Sequence, residues 1–215
     1  MKLMKKSKKQ GILITFEGGE GGGKTTQIVR LRERLLEAKH DVIVLREPGG
    51  TVISEQIREV VLSAKNSGIA YTTEVLLFQA ARAQIYREIV LPSLEVGKVV
   101  LMDRSRDSSV IYQGMVRGFG RDKIEELNDL STKNTMPDAT VLLDVDVKVG
   151  LSRANEAGND NRMEMEGLKF HQQVRDAYLK LAKENKGKRW QIIDANQSLE
   201  KVESEIWQVV QKRLA

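Results

Sequence analysis

The chain has 215 residues, 40% of them hydrophobic and 30% charged, which suits one globular domain with a sizeable core and excludes a disordered chain. Its net charge of +5 sits in Lys2, Lys5, Lys6, Lys8 and Lys9, in a segment without an acid, so the other residues are formally neutral and no nucleic-acid partner is expected. No run of about eighteen apolar residues occurs, and no apolar stretch follows the N-terminal lysines, so no membrane partner and a cytoplasmic location are expected. Zero cysteines exclude disulfides, thiolate metal sites and a cysteine nucleophile.

In chain order, residues 1–10 read as a basic, solvated tail and residues 11–215 as a single domain. Ile12-Leu13-Ile14-Thr15-Phe16 is the first predicted strand and Val42-Ile43-Val44-Leu45 the second, with the helical pattern Ile28, Leu31, Leu35 between them. Residues 99–102, 140–143 and 190–193 supply three more apolar runs, each preceded by enough chain for a crossover. Alternation of near-continuous apolar strands with helices predicts an α/β fold: a parallel sheet of about five strands with helices on both faces. The polar stretch 158–161 is expected to be a mobile loop. Asn185-Lys186-Gly187-Lys188 starts like the base-reading motif of a GTPase but lacks its aspartate, and reads as a loop between helix and strand.

Between the first strand and its helix stands Gly18-Gly19-Glu20-Gly21-Gly22-Gly23-Lys24-Thr25-Thr26, which satisfies G-x-x-x-x-G-K-[ST] in a strand–loop–helix context. Glycines let backbone N–H groups turn onto phosphate oxygens, and the following helix points its positive end at them. These nine residues are therefore the candidate ATP site of a P-loop NTPase-type sheet. Lys24 is expected at the β- and γ-phosphates, and the Thr25 hydroxyl on Mg²⁺. Asp103, closing an apolar strand, is the candidate acid for the same ion, with Asp144 a second. No frame supplies G-x-G-x-x-G, which argues against a dinucleotide-dependent hydride transfer.

Three further segments carry a family resemblance: Arg46-Glu47-Pro48-Gly49-Gly50-Thr51; the run from Glu74 to Gln84; and Asp103-Arg104, followed by the run from Asp107 to Gly114. Together with the P-loop they resemble thymidylate kinases. The resemblance implies ATP- and Mg²⁺-dependent phosphorylation of dTMP to dTDP, a homodimer, and a lid around residues 150–165. It implies that Arg46, Pro48 and Arg104 serve the dTMP phosphate side, and that Phe78 stacks on thymine while Arg82, four residues on, donates to a ring carbonyl. It further implies that Ser109 and Gln113 read the polar edge of the base and that Tyr112 lies against the sugar. Glu20 is expected to touch the sugar 3′-hydroxyl or a magnesium-bound water. Because the acceptor phosphate is already anionic, with a second pKa of about 6, no strong base is needed, and His40 and His171 read as structural or solvated.

The lid departs from the family pattern. Gly21 stands where one type of thymidylate kinase carries arginine, and Asn155 and Ala157 stand where another carries arginines. Arg153 and Arg162 remain, and with Lys24, Glu20 and Arg104 they are the expected catalytic set. The residues alone leave open a P-loop kinase acting on another acceptor, and a nucleotide-dependent switch.

Overall fold

A computed structural model of the chain describes residues 10–156, 162–163, 165–185, 187 and 189–214. The expected basic tail, except residue 10, and the polar loop at 158–161 lie outside the described residues, as do Ala157, Lys186 and Lys188.

The five predicted strands form one parallel sheet: β1 (Ile12–Glu17), β2 (Val42–Arg46), β3 (Val99–Asp103), β4 (Ala139–Asp144) and β5 (Trp190–Asp194), in the order β2-β3-β1-β4-β5. Every strand runs one residue beyond its apolar stretch and ends on a charge: Glu17, Arg46, Asp103, Asp144 and Asp194. Hydrophobicity marks where a strand enters the core, whereas the ladder carries on to the carboxyl edge of the sheet, and that edge holds the charged groups. The chain leaves β1 toward β2 on one side and leaves β3 toward β4 on the other, so a crevice opens between the ends of β1 and β3.

The crossovers are α1 (Lys24–Glu37), α2 (Val52–Leu62), α3 (Tyr71–Ile85), α4 (Leu91–Glu95), α5 (Arg106–Ser109), α6 (Arg121–Thr132), α7 (Val147–Glu156), α8 (Leu168–Glu184) and α9 (Leu199–Leu214). On one face Ile14, Phe16, Leu101 and Val141 pack against Ile28, Leu31 and Leu35 of α1 and against Val202, Ile206 and Val210 of α9. On the other, Leu13, Val100 and Met102 meet Ile85, Val90 and Leu94, while Leu142 and Trp190 meet Val174, Tyr178 and Leu181 of α8. Leu13 and Ile14, like Val100 and Leu101, take opposite faces, as the two-residue period of a strand requires. Each such buried aliphatic contributes about 1.5–3 kcal/mol. Among the described residues no helix is long and apolar enough to cross a membrane.

Two π-helical stretches widen the helices, and the second reaches the crevice. Tyr86–Val90 joins α3 to α4, and Val110–Val116 continues α5 and carries Tyr112 and Gln113. Such bulges often occur at functional sites.

Candidate active site

The P-loop leaves β1 at Gly18, whose φ of 139° suits glycine alone and where a Cβ would lie 2.5 Å from the Leu143 carbonyl oxygen. Gly21 is left-handed too, and a Cβ there would overlap the backbone of Gly150 in α7. That backbone contact leaves no room in this conformation for any side chain at Gly21. The buried Lys24 opens α1, and its Nζ donates to Gly19 O at 2.8 Å and Gly18 O at 3.3 Å. Burial and the neighbouring Arg104 push its pKa down. One residue on, Thr25 Oγ1 donates to Asp103 Oδ2 at 2.7 Å. A hydroxyl and a carboxylate meeting at the crevice form the hard-oxygen pair that Mg²⁺ takes, and its remaining ligands are commonly phosphates and water. The other candidate acid, Asp144, is instead bound by Arg175 at 2.7 and 3.1 Å.

Arg104 follows β3 with φ 64°, a conformation uncommon for a side-chain-bearing residue. Its N–H still continues the ladder to Phe16 O, and the next N–H, of Ser105, is held by Glu17 Oε1 at 2.9 Å. The left-handed turn between these anchors sends the guanidinium back over the P-loop, to Gly18 O at 3.0 Å and Glu20 Oε1 at 2.7 Å. Tyr112 OH donates to the same Glu20 oxygen at 3.2 Å. Burial alone would raise the Glu20 pKa, but Arg104 and Lys24 outweigh it and hold the carboxyl at about 2. Glu17, three residues earlier, has the opposite environment. Burial and then Asp107 push it up to about 7, against hydrogen bonds from Ser108 Oγ at 2.6 Å and Tyr178 OH at 2.8 Å.

The facing wall is built from α3 and the π-helical stretch. Arg82 is buried with all its donors engaged: Nε to Glu47 Oε2 at 2.8 Å, NH1 to Ser109 Oγ at 3.0 Å and Asn128 Oδ1 at 2.8 Å, and NH2 to Ser105 O at 3.1 Å and Glu47 at 2.7 Å. A base carbonyl could receive a hydrogen bond from it only by sharing a proton with one of these partners. Gln113 Nε2 donates to the buried Glu74 at 2.8 Å. Arg46 pairs with Glu55 at 3.0 Å, and Arg46 and Arg58 both donate to Pro48 O, at 3.0 and 2.8 Å.

These groups surround one cleft of about 790 Å³. It is lined by Glu20, Gly21, Gly22, Gly23, Lys24, Thr25 and Thr26 on the P-loop side, and by Arg46, Pro48, Phe78, Arg82, Asp103, Arg104, Ser109, Tyr112, Gln113 and Arg153 elsewhere. Besides Asp144, three expected residues are absent from the lining. Gly18 and Gly19 turn their carbonyls onto Lys24 instead. Arg162, of the expected catalytic set, lies away from the lining in this structure: its guanidinium is held against Glu74 at 2.6 Å and Val61 O at 3.0 Å. The lining also includes residues that sequence reasoning missed: Arg58, Met163, and Gln197 to Leu199 after β5. None stands in a contiguous motif, so no local signal marks them.

Cationic groups thus approach one cleft from its P-loop wall and from its Arg46 wall, which suits the meeting of two phosphorylated molecules. Fold and cleft define the class of P-loop kinases. Known proteins narrow it. The family model described as thymidylate kinase matches residues 16–206. The chain is 49% identical over 211 residues to the thymidylate kinase of Geotalea uraniireducens, spanning 95% of this chain and 99% of that protein. It is 45% identical over 210 residues to that of Geobacter sulfurreducens, spanning 95% and 98%. The crystal structure of thymidylate kinase from Ehrlichia chaffeensis matches with a TM-score of 0.75 and 33% identity, over 94% of this chain and 99% of the other. The chain belongs to the thymidylate kinase family.

Proposed function

We infer that the protein transfers the γ-phosphoryl group of ATP to dTMP, giving dTDP and ADP. The observation that carries this is the common cleft: the P-loop faces Phe78, Ser109 and Gln113 across a single cavity. Lys24, resting on two carbonyls, exchanges them for the β- and γ-phosphates. Arg46 forks onto the dTMP phosphate, and Arg104 and Arg153 stabilise the transferring group. The acceptor oxygen attacks without a general base, since its phosphate carries the charge already. Phe78 stacks on the base, Ser109 donates toward its carbonyl edge, where Arg82 adds a hydrogen bond only by sharing a proton with one of its present partners, and Tyr112 covers the sugar beside Glu20. Thr25 and Asp103 would hold Mg²⁺, whose chemistry is to neutralise phosphate charge.

A cytoplasmic setting fits these substrates. A homodimer, which the family resemblance implies, agrees with the exposed Val52, Val60 and Leu76 on α2 and α3. A coupled ADP-release assay across nucleoside monophosphates tests the function. The expected order of kcat/KM is dTMP first and dUMP second, with purine nucleotides inactive. A different preferred acceptor would overturn it.

A further inference from the structure

Glu74 heads the run from Glu74 to Gln84 but is given no site role by the resemblance; it is fully buried on α3 and collects three donors. Its Oε1 accepts from Gln113 Nε2 at 2.8 Å and from Arg117 Nε at 3.0 Å, and its Oε2 accepts from Arg162 NH2 at 2.6 Å. Two guanidiniums on different segments hold the carboxylate in one place, and a carboxylate between them accepts hydrogen bonds only. The Gln113 amide must therefore turn its NH₂ to Glu74. Its oxygen is left over. Gln113 lines the cleft, and among the described residues no donor reaches that oxygen.

We propose that Glu74 sets the base selectivity of the acceptor site, by fixing which end of the Gln113 amide faces the cleft. The inference rests on the placement of the acceptor base beside Gln113 given above. Thymine and uracil carry a hydrogen on N3, which an amide oxygen accepts; cytosine has a lone pair there, which the same oxygen repels. An amide free to turn over would serve either base, offering oxygen to one and NH₂ to the other. Held by Glu74, it serves only the first. Selectivity against cytosine thus comes from a residue that touches no substrate, and Glu74 is a positioning residue.

Glu74→Gln replaces the pure acceptor by an amide that can meet Gln113 with either end. The dTMP-to-dCMP ratio of kcat/KM should fall at least about tenfold, while the KM for ATP stays within about twofold. A merely structural role would lower stability and leave the ratio unmoved. Gln113→Met, measured alongside, separates two failures. If it shifts the ratio and Glu74→Gln does not, the role of Glu74 is overturned and the base placement stands. If Gln113→Met leaves the ratio unmoved, the base placement itself fails, and the inference with it. Should Glu74→Gln not fold by circular dichroism, Glu74→Asp keeps the charge between the arginines but withdraws it from Gln113. It must then move the ratio in the same direction, and an unmoved ratio overturns the proposal.

Discussion

Lys24 and Arg82 are both buried cations lining one cleft, and they are held in opposite ways. Lys24 rests on the carbonyls of Gly18 and Gly19, neutral partners that a phosphate can displace. Arg82 forms a buried ion pair with Glu47 and donates to Asn128, Ser105 and Ser109 besides. The P-loop wall is therefore a store of positive charge poised for a polyanion, and the opposite wall is a template whose polar groups are fixed before the substrate arrives. A reaction between two phosphates needs mobile charge where bonds change and rigidity where a base is recognised.

The contrast should break most visibly at Lys24. Lys24→Ala removes charge from the transferring phosphates and little packing, so kcat should fall about 10²–10³-fold or more with an unchanged circular dichroism spectrum. Near-normal turnover would show that the P-loop is not the donor site. On the template side the corresponding change costs stability. Glu47→Ala leaves Arg82 buried without its anion, a loss of about 3–5 kcal/mol, and calorimetry should show a Tm lower by about 10 °C. A Tm within about 2 °C of the parent would mean that the pair does not hold this wall. Phe78→Ala tests recognition: the KM for dTMP should rise about 5- to 100-fold, from a stacking loss of about 1–3 kcal/mol, with the KM for ATP little changed. Equal effects on both substrates would make Phe78 a core residue.

The smallest effect is on pH dependence, and it contrasts Glu17 with Glu20. Glu17 titrates at about 7 in the fold, against an ordinary value of 4.5, so the native state keeps a proton that the unfolded chain has lost. Its stabilising contribution is present below 4.5 and is lost as pH rises to 7. Glu20, held at about 2, contributes above 4.5 and loses that contribution as pH falls toward 2. Glu17→Gln should therefore flatten the decline of Tm between pH 5 and 7 without altering its acid limb. An undiminished decline would assign it to another group.

The two walls also differ in how far they can be read from sequence. The P-loop is nine consecutive residues between an apolar run and a helical pattern, and its chemistry is local. Strands were legible from apolar runs, apart from the charged residue that ends each of them. The template wall is assembled from contacts such as Arg82 to Glu47, 35 positions apart, and Gln113 to Glu74, 39 apart. Glu47 and Glu74 lie within segments that carry the family resemblance, but no local pattern announces their partners and none marks Asn128, and Phe78 and Gln113 gained a role only from that resemblance. Arg162 shows the same dependence on distant partners. Near a lid an arginine reads as a phosphate ligand, whereas Glu74, 88 positions away, binds it.

The division of the cleft is tested most directly by titration calorimetry of dTMP into Lys24→Ala and Phe78→Ala side by side. Lys24→Ala should bind dTMP within about threefold of the parent affinity, and Phe78→Ala should lose about fivefold or more. Loss of dTMP binding in Lys24→Ala together with its retention in Phe78→Ala would contradict the account.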